Sequence, residues 1–189
     1  MSTLRLSVVP SLGSNDHAVQ CLVDGQDLVA QLGGLGLDPD DFFAEVPRAT
    51  PGEPRECRIG RCECGVVGCG DVLAQVLREH EQVVWKVGTR EVRFDAAQYD
   101  AEFARAASDY SWETPQRTAE RMLRERVPTK DLRGRGFIFE WASGRARGGE
   151  FTIAIRKAEG PYRQMLLAVP WNDDLEQVVA SALALLGRQ

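Results

Sequence analysis

Four of the chain's five cysteines fall between Cys57 and Cys69, in the stretch CRIGRCECGVVGC, and no other feature restricts the local fold as tightly. Cys57, Cys62, Cys64 and Cys69 follow the spacing C-x4-C-x-C-x4-C. Zinc takes four N or S ligands in a tetrahedron, and thiolates are its usual structural partners. The chain must curl sharply to present them. Gly60, Gly65, Gly68 and Gly70 supply the backbone freedom for such a curl. Arg55, Arg58 and Arg61 stand close in sequence, where they offset the negative charge of a thiolate site and favour the deprotonated thiol. The pattern therefore reads as a structural zinc knuckle. A disulfide pair, an iron–sulfur cluster, copper(I) or a redox switch would draw on the same thiols. Five cysteines leave one unpaired in any disulfide scheme.

The last three cysteines, in CECGVVGCG, resemble the post-SET zinc segment of lysine methyltransferases, where three cysteines bind zinc and a distant residue completes the site. The resemblance implies that Cys62, Cys64 and Cys69 are the core ligands. It covers about ten residues and brings no SET-domain motif with it, so it does not imply methyl transfer. The stretch is also similar to a group of uncharacterised bacterial proteins with a CxCGxxGCG knuckle followed by a Val-Trp strand, here Val84-Trp85. Cys57 is the first choice for the fourth ligand, with Cys21, His80 and His17 as substitutes. Without Cys57 the site would hold three thiolates and an open position, as catalytic zinc sites do.

The rest of the sequence bounds the class. A length of 189 residues suits one medium domain or two small ones. A hydrophobic share of 43% supports a core, and a net charge of −5 argues against general attraction to nucleic-acid phosphate. The N-terminal stretch lacks a signal-peptide pattern, no run approaches membrane-span length, and clustered thiols suit a reducing cytoplasm.

Alternation predicts strands over residues 3–9 and 18–23, the second closed by the hairpin pair Asp24-Gly25. A partner strand, or a short helix, follows over residues 27–32. Cys21 shares a face with Val19 and Val23 and reads as a buried apolar thiol. Gly33, Gly34 and Gly36 lack the full order of a phosphate loop and read as a turn. Asp38-Pro39 opens a short helix, whose acidic first turn, Asp38, Asp40 and Asp41, suits the helix dipole. Pro47, Pro51, Gly52 and Pro54 make a linker into the knuckle. A hairpin follows over residues 72–77 and 82–87, with a helix over 71–81 as its rival. Next come a strand over 90–94 and a helix capped by Asp95 and Gln98, with Tyr99, Phe103, Ala106 and Tyr110 on its apolar stripe.

A helix from Thr114-Pro115 to about Arg126 turns Ala119, Met122 and Leu123 inward. Three strands then present Phe137, Phe139 and Trp141; Phe151, Ile153 and Ile155; and Met165, Leu167 and Val169. A last helix, capped by Asn172 or Asp173, carries Leu175, Val178, Val179, Ala182, Leu185 and Leu186. The expected fold is α+β with antiparallel sheets. A β-rich half, residues 1–94, carries the knuckle, and an α+β half follows over 95–189; the two could also form one compact domain.

No nucleophile elbow or other catalytic signature accompanies the knuckle. His17 and His80 read as surface side chains. Arg133, Arg135, Arg145 and Arg147 lie in turns at opposite ends of a strand, unlike a continuous basic face, and the four tryptophans read as core or core-edge. The sequence thus points to a zinc-stabilised interaction or regulatory module whose partner is a protein. The alternative is a zinc enzyme with a three-cysteine open site and Glu63 or Glu56 as base. Nucleic-acid binding through the arginine turns is the third reading.

Overall fold

The computed structural model describes residues 1–11, 16–46, 52–64 and 68–188. The sequence-derived linker around Pro47 and Pro51 falls mostly outside them. The architecture is α+β with antiparallel sheets, and the chain divides into two compact units, Met1–Trp112 and Glu113–Gln189.

In the first unit, β1 (Leu4–Pro10) and β2 (His17–Val23) form a hairpin with Leu6 opposite Cys21. Asp24 and Gly25 then take φ of 50° and 82°, the left-handed pair that a tight hairpin turn demands. The return strand β3 (Gln26–Asp27) is only two residues long. The Asp27 side chain accepts the amides of Val29 and Ala30 and starts the short helix α1 (Leu28–Gln31) in its place. The glycine run then brings the two-residue strand β4 (Leu35–Gly36) against β2. A Cβ on Gly36 would stand 2.1 Å from the Val19 carbonyl oxygen, so only glycine allows this approach. Helix α2 (Pro39–Glu45) follows, capped by Asp38.

A five-stranded antiparallel sheet continues from β4 through β5 (Arg55–Arg61), β6 (Val72–Glu79), β7 (Gln82–Val87) and β8 (Arg90–Asp95). Residues 71–81 thus form a strand and turn, not the rival helix. His80 takes φ of 54° in the two-residue turn between β6 and β7.

Helix α3 (Ala96–Ala107) lays Tyr99, Phe103 and Ala106 into the same core as Trp85, Phe94 and Phe42, and so belongs to this unit. Tyr110 lies beyond the helix end and is exposed. Asp95 caps α3 by accepting the Gln98 amide at 2.9 Å. The Gln98 side chain does not return to close a capping box. It reaches β1, donating to the Leu4 carbonyl at 2.7 Å and accepting the Leu4 amide at 3.2 Å. One turn on, Glu102 accepts the Leu6 amide at 2.7 Å, and Arg105 donates to the Leu6 carbonyl at 2.6 Å. The helix thereby satisfies backbone groups along the free edge of β1.

In the second unit, α4 (Pro115–Arg126) begins at Thr114, and a short helix not expected from the sequence, α5 (Thr129–Gly134), follows Pro128. The strands β9 (Phe137–Ser143), β10 (Glu150–Lys157) and β11 (Gln164–Pro170) form a meander with β10 in the middle. The α6 helix (Leu175–Leu186) is capped by Asp174, one residue later than expected, because Asn172 spends its side chain on the Asp174 amide. Its apolar stripe joins Phe151, Ile153 and Ile155 in the core.

In β9, Trp141 pairs with Ala154 and Phe139 with Ile155, leaving Glu140 as a bulge. The extra residue reverses the alternation. Phe137, Phe139 and Ala142 pack on the core, and Trp141 is 38% exposed. On α4, Arg117 and Glu120 are buried although the sequence reads them as part of a charged face. Glu120 accepts the Gly144 amide and both Nε and Nη2 of Arg145 at 2.9–3.0 Å.

Candidate metal centre

The knuckle is the connection between β5 and β6. Its root is tight. The pairing of the two strands slips between Arg58 and Gly60, opposite Leu73 and Val72. A Cβ on Gly60 would come within 2.4 Å of Val29, and one on Gly34 within 2.7 Å of Val72. These glycines let α1 and β4 crowd against the base of the loop, which fixes where Cys62 leaves β5.

Beyond that base the thiols of Cys62, Cys64 and Cys69 lie within 4.8 Å of one another, with Cys62 and Cys64 sulfurs 2.8 Å apart. Thiolates at about 2.3 Å from one zinc in a tetrahedron stand roughly 3.8 Å apart, so three sulfurs gathered this closely suit a single ion. Cys62 is half-buried, and Cys64 and Cys69 are exposed. The returning arm depends on glycine twice. Gly68 adopts φ of +80°, and Gly70 lies so close to Cys62 that a Cβ there would stand 3.1 Å from the Cys62 Cβ and 3.7 Å from its sulfur.

Hydrogen bonds to Cys64 and Cys62 push the Cys69 thiol up to about 11. A bound cation reverses this preference, since it takes the thiolate form and releases protons.

The other proposed ligands are elsewhere. Cys57 is in the core, 3% exposed, because alternation along β5 turns Cys57 and Ile59 inward while Arg58 faces out. Its sulfur lies 3.6 Å from the Arg55 carbonyl, and burial raises its thiol. Cys21 is fully buried in β2, where burial raises its thiol further. His80 is at the exposed tip of the β6–β7 turn. His17 bonds Asp16 and packs on the Trp112 ring at 5.3 Å. Among the described residues, neither Glu56 nor Glu63 joins the group of three thiols, and both are exposed. Of the three arginines, Arg58 is held by Glu45.

The sequence reading missed Asp71. Its Oδ2 accepts the Gly68 amide at 3.1 Å, within the turn that carries Cys69. Its Oδ1 is sealed from solvent with no hydrogen-bond partner among the described residues. An acidic residue two positions after the last cysteine, at the start of a strand, was the available signal.

The arginine turns do not converge. Arg145 is bound to Glu120, and Arg135 donates to the Asp131 and Gly187 carbonyls. Arg133 is exposed in the last turn of α5, not in a loop as the sequence suggests, and Arg147 is exposed in the β9–β10 connection. No helix among the described residues is long and apolar enough to cross a membrane.

Compared with protein-family models, curated proteins and solved structures, the chain matches none of them.

Proposed function

We propose that this protein is a zinc-binding module in which Cys62, Cys64 and Cys69 hold one Zn²⁺ and fix the β5–β6 connection as a rigid surface feature for a protein partner. The observation that carries the reading is the meeting of three thiols from both arms of one glycine-bearing loop. Thiolate donors select zinc or copper(I) over hard cations. The likeness of CECGVVGCG to post-SET zinc segments supports the same three ligands. Free thiols throughout the chain suit a reducing compartment such as the cytoplasm. The role we propose is one of interaction or regulation, in which the ion fixes the shape of the loop.

A second reading, a zinc enzyme with an open coordination position, draws support from the placement of Cys57 in the core. It requires water on the metal and a nearby base. Metal content measured by mass spectrometry, on protein purified without added metal, tests the site. One zinc per chain is expected, absent from Cys62→Ser and retained in Cys57→Ala. Retention of full metal by Cys62→Ser overturns the proposal. To separate the two readings, the pH dependence of any hydrolytic activity is followed, and a metal-dependent ionisation near neutrality would favour the enzyme.

A further inference from the structure

We infer that Asp71 supplies the fourth ligand, giving an S₃O donor set closed within the chain; this rests on the metal-centre reading above. Three thiolates satisfy only part of a tetrahedral structural site. None of the residues that sequence order suggests for the fourth position joins the three thiols. Cys57 and Cys21 are core side chains. His80 is at the far end of β6, on the order of 24 Å along the strand from its start. His17 is engaged by Asp16 and Trp112.

Asp71 follows Cys69 by two residues. It closes the turn that carries Cys69, with one oxygen on the Gly68 amide, and its second oxygen is shut off from solvent with no hydrogen-bond partner among the described residues. A carboxylate oxygen so enclosed gives up hydration; the Arg58 guanidinium acts on this carboxylate through its charge, and a cation bound to it would supply the direct contact. The carboxylate is not among the atoms within 4.8 Å of all three sulfurs. Ligation therefore draws the Gly68–Asp71 turn inward around the ion, a closure that Gly68 and Gly70 permit.

A hard oxygen among three sulfurs favours Zn²⁺ over copper(I). It also leaves no open position for a metal-bound water, which makes the site structural.

The test uses Co²⁺ as a coloured probe of coordination, titrated anaerobically into the reduced full-length chain. Wild type is expected to bind one Co²⁺ with a four-coordinate visible spectrum. Asp71→Asn keeps an oxygen for the Gly68 amide, and is expected to bind about tenfold or more weakly with a shifted visible envelope. Asp71→Cys is expected to regain tight binding with added thiolate charge-transfer intensity. Cys57→Ala is expected to match wild type. An Asp71→Asn spectrum and affinity equal to wild type, or loss of thiolate intensity in Cys57→Ala, overturns the assignment of Asp71 while leaving the metal centre intact. Failure of wild type to bind Co²⁺ at all overturns the metal-centre reading and this inference together.

Discussion

Gly70 decides how closely the second arm of the knuckle approaches the first. Its missing side chain leaves room for the Cys62 Cβ, which an added methyl would approach to 3.1 Å. Gly70→Ala should spread the thiols and weaken metal binding on the order of tenfold, measured by competition with a chelator. Gly148→Ala, where an added Cβ meets nothing within 4 Å, is the control and should leave binding unchanged. Glu102 is the other residue with an outsized role. Burial alone would raise its carboxyl, but Arg105 and the Leu6 amide outweigh burial and hold it below its ordinary 4.5. A lowered folded value means that its contribution is complete above the unfolded value and is lost as pH falls through the folded one. Glu102→Gln should lower stability at pH 7 by about 1–3 kcal/mol, and the difference from wild type should shrink below pH 4.5. A constant difference down to pH 3 in denaturant melts would contradict this.

Most elements are legible from alternation and caps, and the exceptions have specific causes. Trp141 looks like a core residue by phase, but the bulge at Glu140 turns it outward. The measurable consequence is a contrast between two tryptophans. Trp85→Ala, at a fully buried site, should cost about 3–5 kcal/mol, and Trp141→Ala about 1 kcal/mol or less, both read from urea midpoints. A bulge depends on pairing between strands, so a single-strand pattern cannot reveal it. The strand expected over residues 27–32 yielded to helix because Asp27 caps two amides, an outcome the sequence left open. The Gln98 side chain left its capping box for the edge of β1, a long-range competitor invisible to local spacing. At the candidate site, spacing singles out Cys57, Cys62, Cys64 and Cys69 alike, and the narrower set of Cys62, Cys64 and Cys69 is what the post-SET resemblance implies. The inward turn of Cys57 followed from β5 being a strand up to Arg61, and Asp71 emerged only from its sealed oxygen.

At the scale of the molecule, the knuckle is not what holds the first unit together. Trp85, Tyr99, Phe42, Phe94 and Phe103 form a substantial core of their own, so in the proposed reading the ion stabilises the loop and the core is left to hold the unit. An ion that binds only the native state adds RT ln(1 + [M]/Kd), about 4 kcal/mol at a thousandfold excess over Kd. A zinc chelator should therefore lower the melting temperature by several degrees while far-UV circular dichroism keeps its native shape. Collapse of that spectrum at room temperature would show that the ion, not the core, maintains the fold.

The central claim is that three thiolates of one loop gather a metal ion, and zinc-edge X-ray absorption of the protein as purified addresses it most directly. The account predicts three sulfurs at about 2.3 Å and one oxygen at roughly 2.0–2.2 Å. Protein without zinc, or zinc without sulfur in its coordination sphere, would contradict it.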